Sequence, residues 1–244
     1  MDGIADGGGT PGGTAIGTAG RVAGGTAGGT DGGLRERKRL AAMRRIQAAA
    51  LDLFDQHGYS QVTIERIAAA AEVSPSSVYR YFGTKEQIVL WDEYDPVLFA
   101  NLARELRRRP PVAALRHAIL DLLDEILARD EAKVRRRLAY TVREPSVAAT
   151  SIVQAHQNAD EFSRILSEAL GRSRDDLEVR LFSHAIIGAG VGAVFYWYES
   201  GFRDPLRVVV ERAIAALDHG FRFDRNTPAD LGETQPGMPE SGLI

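Results

Sequence analysis

An all-α fold is predicted from three observations. Apolar residues recur three and four apart through most of the chain, and no stretch shows convincing two-residue alternation. The segments with this spacing tend to open on Ser, Thr or Pro and to close near Gly. The longest apolar run, Ala185 to Tyr198, has 14 residues, short of the roughly 20 a bilayer-crossing helix needs, so it reads as a buried helix.

Residues 1–33 hold fourteen of the 25 Gly, mixed with Thr and Ala. Such a segment buries too little surface to offset its ordering entropy and reads as disordered. It is an inert tail on this reading, although Arg35, Arg37, Lys38 and Arg39 just beyond it suit an arm on a DNA backbone. A helix follows over about 36–57, with Ile46, Ala50, Leu53, Phe54 and His57 on one face.

Two short helices come next. Thr63 caps the first, whose Ile64, Ile67, Ala68 and Ala71 share a face. Ser74 caps the second, and Pro75 suits its first turn, where no backbone donor is needed. Val78 and Phe82 are four apart and point back at the first helix. Gly83 stands where a helix end favours a left-handed residue, and Thr84 with Gln87 has capping-box spacing for a fourth helix. That helix is expected to end near Asp95, and Pro96 to open a fifth reaching about Arg108. Further helices are expected at 112–128, 131–143, 146–170, 175–200 and 205–221. The tail at 224–244 reads as disordered.

The pair of short helices has the form of a helix-turn-helix. Its second helix is only about two turns long and fits a major groove about 12 Å wide. DNA binding requires phosphate anchors and base readers. Ser74, Ser76, Ser77, Tyr79, Arg80 and Tyr81 supply small or hydrogen-bonding side chains there. Ser76, Ser77 and Arg80 are the candidate base readers, with Arg80 equally suited to guanine or to phosphate. Thr63 is placed to present backbone donors to phosphate, and Arg44 and Arg45 open a helix beside it.

Charge distribution agrees. The 244-residue chain has a formal net charge of −3, yet Leu34 to Lys85 carries nine Lys or Arg against five Asp or Glu, a local +4. A basic head on an acidic body directs the head to phosphate. With 44% hydrophobic residues a core is attainable, and with no Cys there are no disulfides, thiolate metal sites or Cys nucleophiles. No secretion signal stands out, so a cytoplasmic location is expected. None of the five His follows a Glu by three, and there is no His-Glu-x-x-His, phosphate loop or nucleophile elbow. No enzyme, cofactor or metal site is expected.

The run Val73-Ser-Pro-Ser-Ser-Val-Tyr-Arg-Tyr-Phe-Gly-Thr-Lys-Glu86, with the helix Arg44 to His57 and the Gly58-Tyr59 turn, resembles the operator-binding domain of the TetR family. The resemblance implies that Tyr79, Tyr81 and Lys85 contact phosphate. Glu72 departs from the glycine many members carry; if the turn is left-handed there, Glu costs roughly 1–2 kcal/mol. The body is similar to an actinobacterial TetR subgroup, the mycofactocin-regulator type, with an acyl-CoA-like ligand. The matching runs are Leu90 to Pro96, Glu144-Pro145, Leu170 to Arg172 and Tyr196 to Gly201.

The expected organisation is a helix-turn-helix domain at 34–88 and a helical regulatory and dimerisation domain at 89–223. The family's four-helix interface would use 175–200, with Leu177, Leu181, Gly188, Val191 and Phe195, and 205–221, with Leu206, Val210, Ala213, Leu217 and Phe221. The alternative is that these helices form the monomer core. Candidate ligand contacts are Trp91, Tyr94, Phe99, His117, Tyr140, Arg143, His156, His184, Phe195 and Trp197. The expected partners are double-stranded operator DNA, a second copy of the chain and a small hydrophobic or acyl-CoA-like effector, with no membrane. A DNA-binding factor controlled by a protein partner, without a ligand, remains the competing reading.

Overall fold

A computed structural model describes residues 30–221. Among these residues there are nine α-helices, one 3-10 turn and no strand. The helices are α1 (Thr30–His57), α2 (Ile64–Ala70), α3 (Pro75–Phe82), α4 (Lys85–Leu90), α5 (Asp95–Glu105), α6 (Pro111–Arg143), α7 (Pro145–Leu170), α8 (Leu177–Glu199) and α9 (Leu206–His219). The expected N-terminal tail lies outside the described residues except for 30–33, which belong to α1. The C-terminal tail lies outside them entirely.

The chain divides into two units at Leu40 and Ala41. In the first, the described residues are the opening turns of α1, where Arg39 pairs with Glu36 at 2.7 Å. The second contains all the other elements.

Local signals formed the head as expected. Thr63, Ser74 and Thr84 each accept a hydrogen bond from the backbone N–H three residues on. Met43, Ile46, Leu51 and Phe54 of α1 bury against Ile67, Ala68, Val78, Phe82, Ile88 and Val89. Val147 of α7 completes this cluster, joining head to body. A second cluster joins Leu102 of α5, Leu115 of α6, Phe162 and Leu166 of α7, Val179 and Ile186 of α8 and Ile214 of α9. A third gathers Leu138, Ala193, Trp197, Leu206 and Val209.

Three expectations are corrected. The helices expected at 112–128 and 131–143 are one, α6, with 33 residues, about 50 Å long at 1.5 Å per residue. Nothing between them breaks a helix, and Arg129–Glu125 and Arg135–Glu131 pairs at i,i+4 support the junction. The fourth helix ends at Leu90 rather than near Asp95. Its terminal carbonyls find partners outside the helix: Gln47 donates to Ile88 O and Trp91 O, both at 2.8 Å, and Arg137 donates to Val89 O and Leu90 O at 3.0 and 3.1 Å. The apolar helix α8 is not wholly buried. It is long and apolar enough to cross a membrane by composition alone. One stripe, including Val179, Ser183, Ile186, Ala193 and Trp197, packs inside, while Leu177 is 68% exposed and Leu181 61%.

Candidate nucleic-acid interface

Helix α3 lies at the surface. Val78 and Phe82 anchor it inward, and Ser74, Ser76, Tyr79 and Arg80 are exposed. The Ser74 hydroxyl sits 2.9 Å from those of Ser76 and Ser77 while accepting from Ser77 N at 3.2 Å. This cap presents three small hydroxyls at the helix start. Tyr79 is 51% exposed. The Arg80 guanidinium stacks on the Tyr81 ring at 4.9 Å and donates to its hydroxyl at 3.2 Å. Arg80 and Tyr81 thus hold each other at the end of the helix.

The turn before α3 is left-handed, with Glu72 at φ 55. Val73 N donates to Ala68 O at 3.0 Å and Glu72 N to Ala69 O at 3.2 Å. This is the paired-bond helix end that ordinarily takes glycine at the position of Glu72. It sets the angle between α2 and α3.

Lys85 is held from behind. Its Nζ donates to Tyr59 O and Val62 O, both at 2.9 Å, and lies 4.3 Å from the Tyr59 ring centre. One of its three ammonium donors therefore remains for another partner. Thr63 is exposed beside it, and Arg45 is exposed on α1. Arg44 instead pairs with Glu93, which also receives Lys133 at 3.0 Å.

A basic run on α6 ties this head to the body. Arg136 reaches Asp52 at 2.8 Å and Asp55 at 2.7 Å on α1, and the Tyr140 hydroxyl donates to Asp55. Arg137 meets Asp92 at 3.0 Å. Burial alone would raise the Asp92 carboxyl, but Arg137, the Tyr94 N–H and Lys133 outweigh it and lower its pKa. Burial and the nearby Asp92 charge push Asp95 up to about 7 against the pull of Arg137. No candidate site residue read from the sequence falls in this basic run. A signal was available: three consecutive Arg on a helix project about 100° apart, so they cannot share one outer face.

Known proteins match on both sides of this junction. A profile described as bacterial regulatory proteins, tetR family, matches residues 46–90, and one described as the MftR C-terminal domain matches 109–222. The chain belongs to the TetR family. It is similar to the transcriptional regulator TcmR of Streptomyces glaucescens, 29% identical over 75% of this chain and 86% of that one. It is 24% identical to a proposed mycofactocin biosynthesis transcriptional regulator, MftR, of Mycobacterium tuberculosis, over 75% of this chain and 90% of that one. The fold is also that of the fatty acid degradation regulator FadR from Bacillus halodurans: TM-score 0.51, 21% identity, 75% of this chain and 97% of that one. The chain is accordingly a DNA-binding transcriptional regulator and not an enzyme.

In this TetR-family body the ten candidate ligand residues fall in separate places. Trp91 packs edge-on against Phe82 at 5.8 Å, and the Tyr94 hydroxyl donates to Asp130. With Tyr140 they belong to the head–body junction. Phe99 packs against the second cluster, and His117 bonds its own helix at Ala113 O, 2.8 Å away. Phe195 and Trp197 belong to the third cluster, with Arg143 donating to Tyr198 at 2.8 Å nearby. His156 and His184 meet each other across α7 and α8. None lines the apolar seam between α6, α8 and α9, which holds about 30 Å³ among Leu115, Ile119, Ile186, Val210, Ile214 and Leu217. The seam residues are plain aliphatics at helical spacing, and only the packing of three helices distinguishes them from other core positions.

Proposed function

We propose that the chain is a cytoplasmic, ligand-responsive repressor. It binds a palindromic operator as a homodimer and is released by a small hydrophobic or acyl-CoA-like effector. The observation that carries this reading is the outward face of α3, capped at Ser74 and anchored by Val78 and Phe82. Ser76, Ser77 and Arg80 read bases, while Tyr79, Tyr81, Thr63, Arg45 and the remaining Lys85 donor hold phosphate. Arg44 joins them if it leaves Glu93. Two recognition helices spaced one DNA turn apart, roughly 34–36 Å, give a two-fold operator its address.

The exposed stripe of α8 supports the dimer. With α9 it borders an open apolar groove of about 670 Å³, lined by Ala193, Tyr196, Val209, Ala216 and Phe221 among others. A matching face from a second copy would cover it. The effector would enter the α6–α8–α9 seam and widen it. Because α6 also carries Arg136 and Arg137, its displacement would shift the head and lower operator affinity.

One observation favours a second reading, control by a protein partner without a ligand. The seam is far below the roughly 300–1,000 Å³ of a drug-sized site. Footprinting of the adjacent intergenic DNA with purified protein, with and without acyl-CoA thioesters, tests both. A protected palindrome that an acyl-CoA releases supports the repressor. Protection that no thioester alters favours the partner, and no protection at low salt overturns the DNA reading.

A further inference from the structure

We propose that His156 and Asp160 of α7 and His184 of α8 bind one divalent transition-metal ion per chain. His156 and Asp160 are four residues apart and share a helix face. Helix α8 packs alongside and brings His184 Nε2 to 3.2 Å from His156 Nδ1. One donor atom from each of the three residues lies within 4.8 Å of the others.

The tautomer of His184 is set by its surroundings. Its Nδ1 lies 2.9 Å from Arg180 O. A carbonyl only accepts, so Nδ1 carries the proton and Nε2 presents a lone pair to the site. Metal-binding histidines are ordinarily oriented in this way, by a second ring nitrogen donating to a carbonyl. In the free protein His156 Nδ1–H donates to that lone pair. An ion at Nδ1 takes the place of this proton, which moves to the other ring nitrogen, Nε2, so His156 binds as a neutral imidazole with no net proton loss.

The spacing fits an ion. Metal–imidazole bonds of about 2.0–2.1 Å at tetrahedral or octahedral angles separate two nitrogens by roughly 2.9–3.4 Å. The two rings are already at that separation. Asp160, 3.8 Å from His156 Nε2 and half exposed, closes the set by side-chain rotation. Two imidazoles and one carboxylate select Zn²⁺, Co²⁺, Ni²⁺ or Cu²⁺ over Mg²⁺ or Ca²⁺, and three protein ligands leave positions for water. The bound ion would clasp α7 to α8 beside the exposed α8 stripe. Motifs within a single helix could not reveal such a site, because its ligands stand 28 residues apart on two helices.

The test is calorimetric titration of untagged full-length protein with ZnCl₂, NiCl₂ and MgCl₂, alongside thermal melting. One Zn²⁺ per chain, a raised melting temperature and no response to Mg²⁺ are expected. H156A and H184A should each weaken Zn²⁺ binding at least tenfold, and D160N should weaken it less. All three side chains are at least partly exposed, so the fold should persist, which circular dichroism checks. Wild-type binding no stronger than that of the H156A/H184A double variant overturns the site. So does half an ion per chain, which would place the metal between two copies. Neither readout involves DNA, so the proposal stands or falls apart from the repressor reading.

Discussion

The guanidinium of Arg137, on α6, lies 3.0 Å from the carboxylate of Asp92, in the link between α4 and α5. The same side chain donates to the carbonyls of Val89 and Leu90. One arginine of the body thus closes the last helix of the DNA-binding head. Arg137→Ala leaves two helix-end carbonyls and a largely buried carboxylate without this partner. The expected cost is about 2–3 kcal/mol, below the full penalty for a deeply buried pair because Asp92 retains solvent contact. Urea unfolding checks it; a loss under about 0.5 kcal/mol would show that the contact does not hold the junction.

The neighbouring carboxyl gives the junction a pH signature. Asp95 is raised by burial first and by Asp92 second, to about 7. A raised carboxyl binds its proton more tightly in the folded state than in the unfolded chain. Stability from this group is therefore greatest below the ordinary aspartate value near 4 and declines as pH rises towards 7. Asp92, with its lowered carboxyl, acts oppositely and below that window. The decline should be about 1–2 kcal/mol, since the carboxyl keeps some contact with solvent. Asp95→Asn should flatten it in melting curves between pH 4 and 7, and an unchanged slope would assign the effect elsewhere.

Glu72 carries strain that is easily relieved. Its φ of 55 is a backbone conformation costing an L-residue about 1–2 kcal/mol. Glycine removes that cost and adds about 0.5–1 kcal/mol of chain entropy in the unfolded state. Glu72→Gly should therefore stabilise the protein by about 0.5–1 kcal/mol. A destabilised variant in guanidinium titrations would mean the Glu72 side chain contributes more than its backbone loses.

Tyr79 and Lys85 separate DNA contact from folding. Tyr79 is exposed, so Tyr79→Ala should change stability by less than about 0.5 kcal/mol while weakening operator binding. Lys85→Ala removes two hydrogen bonds to backbone carbonyls and should cost about 1–3 kcal/mol of stability as well. Shift assays at fixed salt, paired with melting curves, check both. Equal stability losses in the two variants would refute the distinction.

What was legible in the sequence was local. Thr63, Ser74, Pro75, Gly83 and Thr84 act within three residues of themselves, and Thr63, Ser74 and Thr84 each accept the expected cap bond. The stop of α4 at Leu90 was not legible, because its causes, Gln47 and Arg137, lie over 40 residues away. The continuity of α6 rests on the absence of Gly or Pro between 128 and 131, where Ala, Arg and Glu outweigh the weaker Asp130. The candidate ligand residues are aromatic or polar, whereas the seam that three helices enclose is aliphatic. The two histidines were each visible, but nothing along the chain indicated that they meet.

The exposed stripe of α8 gives the most direct test of assembly. Leu177 and Leu181 are four residues apart and largely exposed in one chain, so both stand on one face. In a two-fold dimer each substitution counts twice, because each copy contributes the same patch. Fully burying a leucine is worth about 1.5–3 kcal/mol and Leu181 is 61% exposed before association, so Leu181→Glu removes about 2–4 kcal/mol from the interface before any charge repulsion. Dimer dissociation should then rise by about one to three powers of ten. The monomer loses little, since the residue is already largely exposed there, and its circular dichroism should match wild type. Sedimentation at micromolar concentration should show a folded monomer. Its DNA binding should keep α3's base preference but lose the requirement for a second half-site, with a salt dependence roughly half as steep as wild type. A variant that sediments as a dimer and protects a full palindrome would place the interface on a different face.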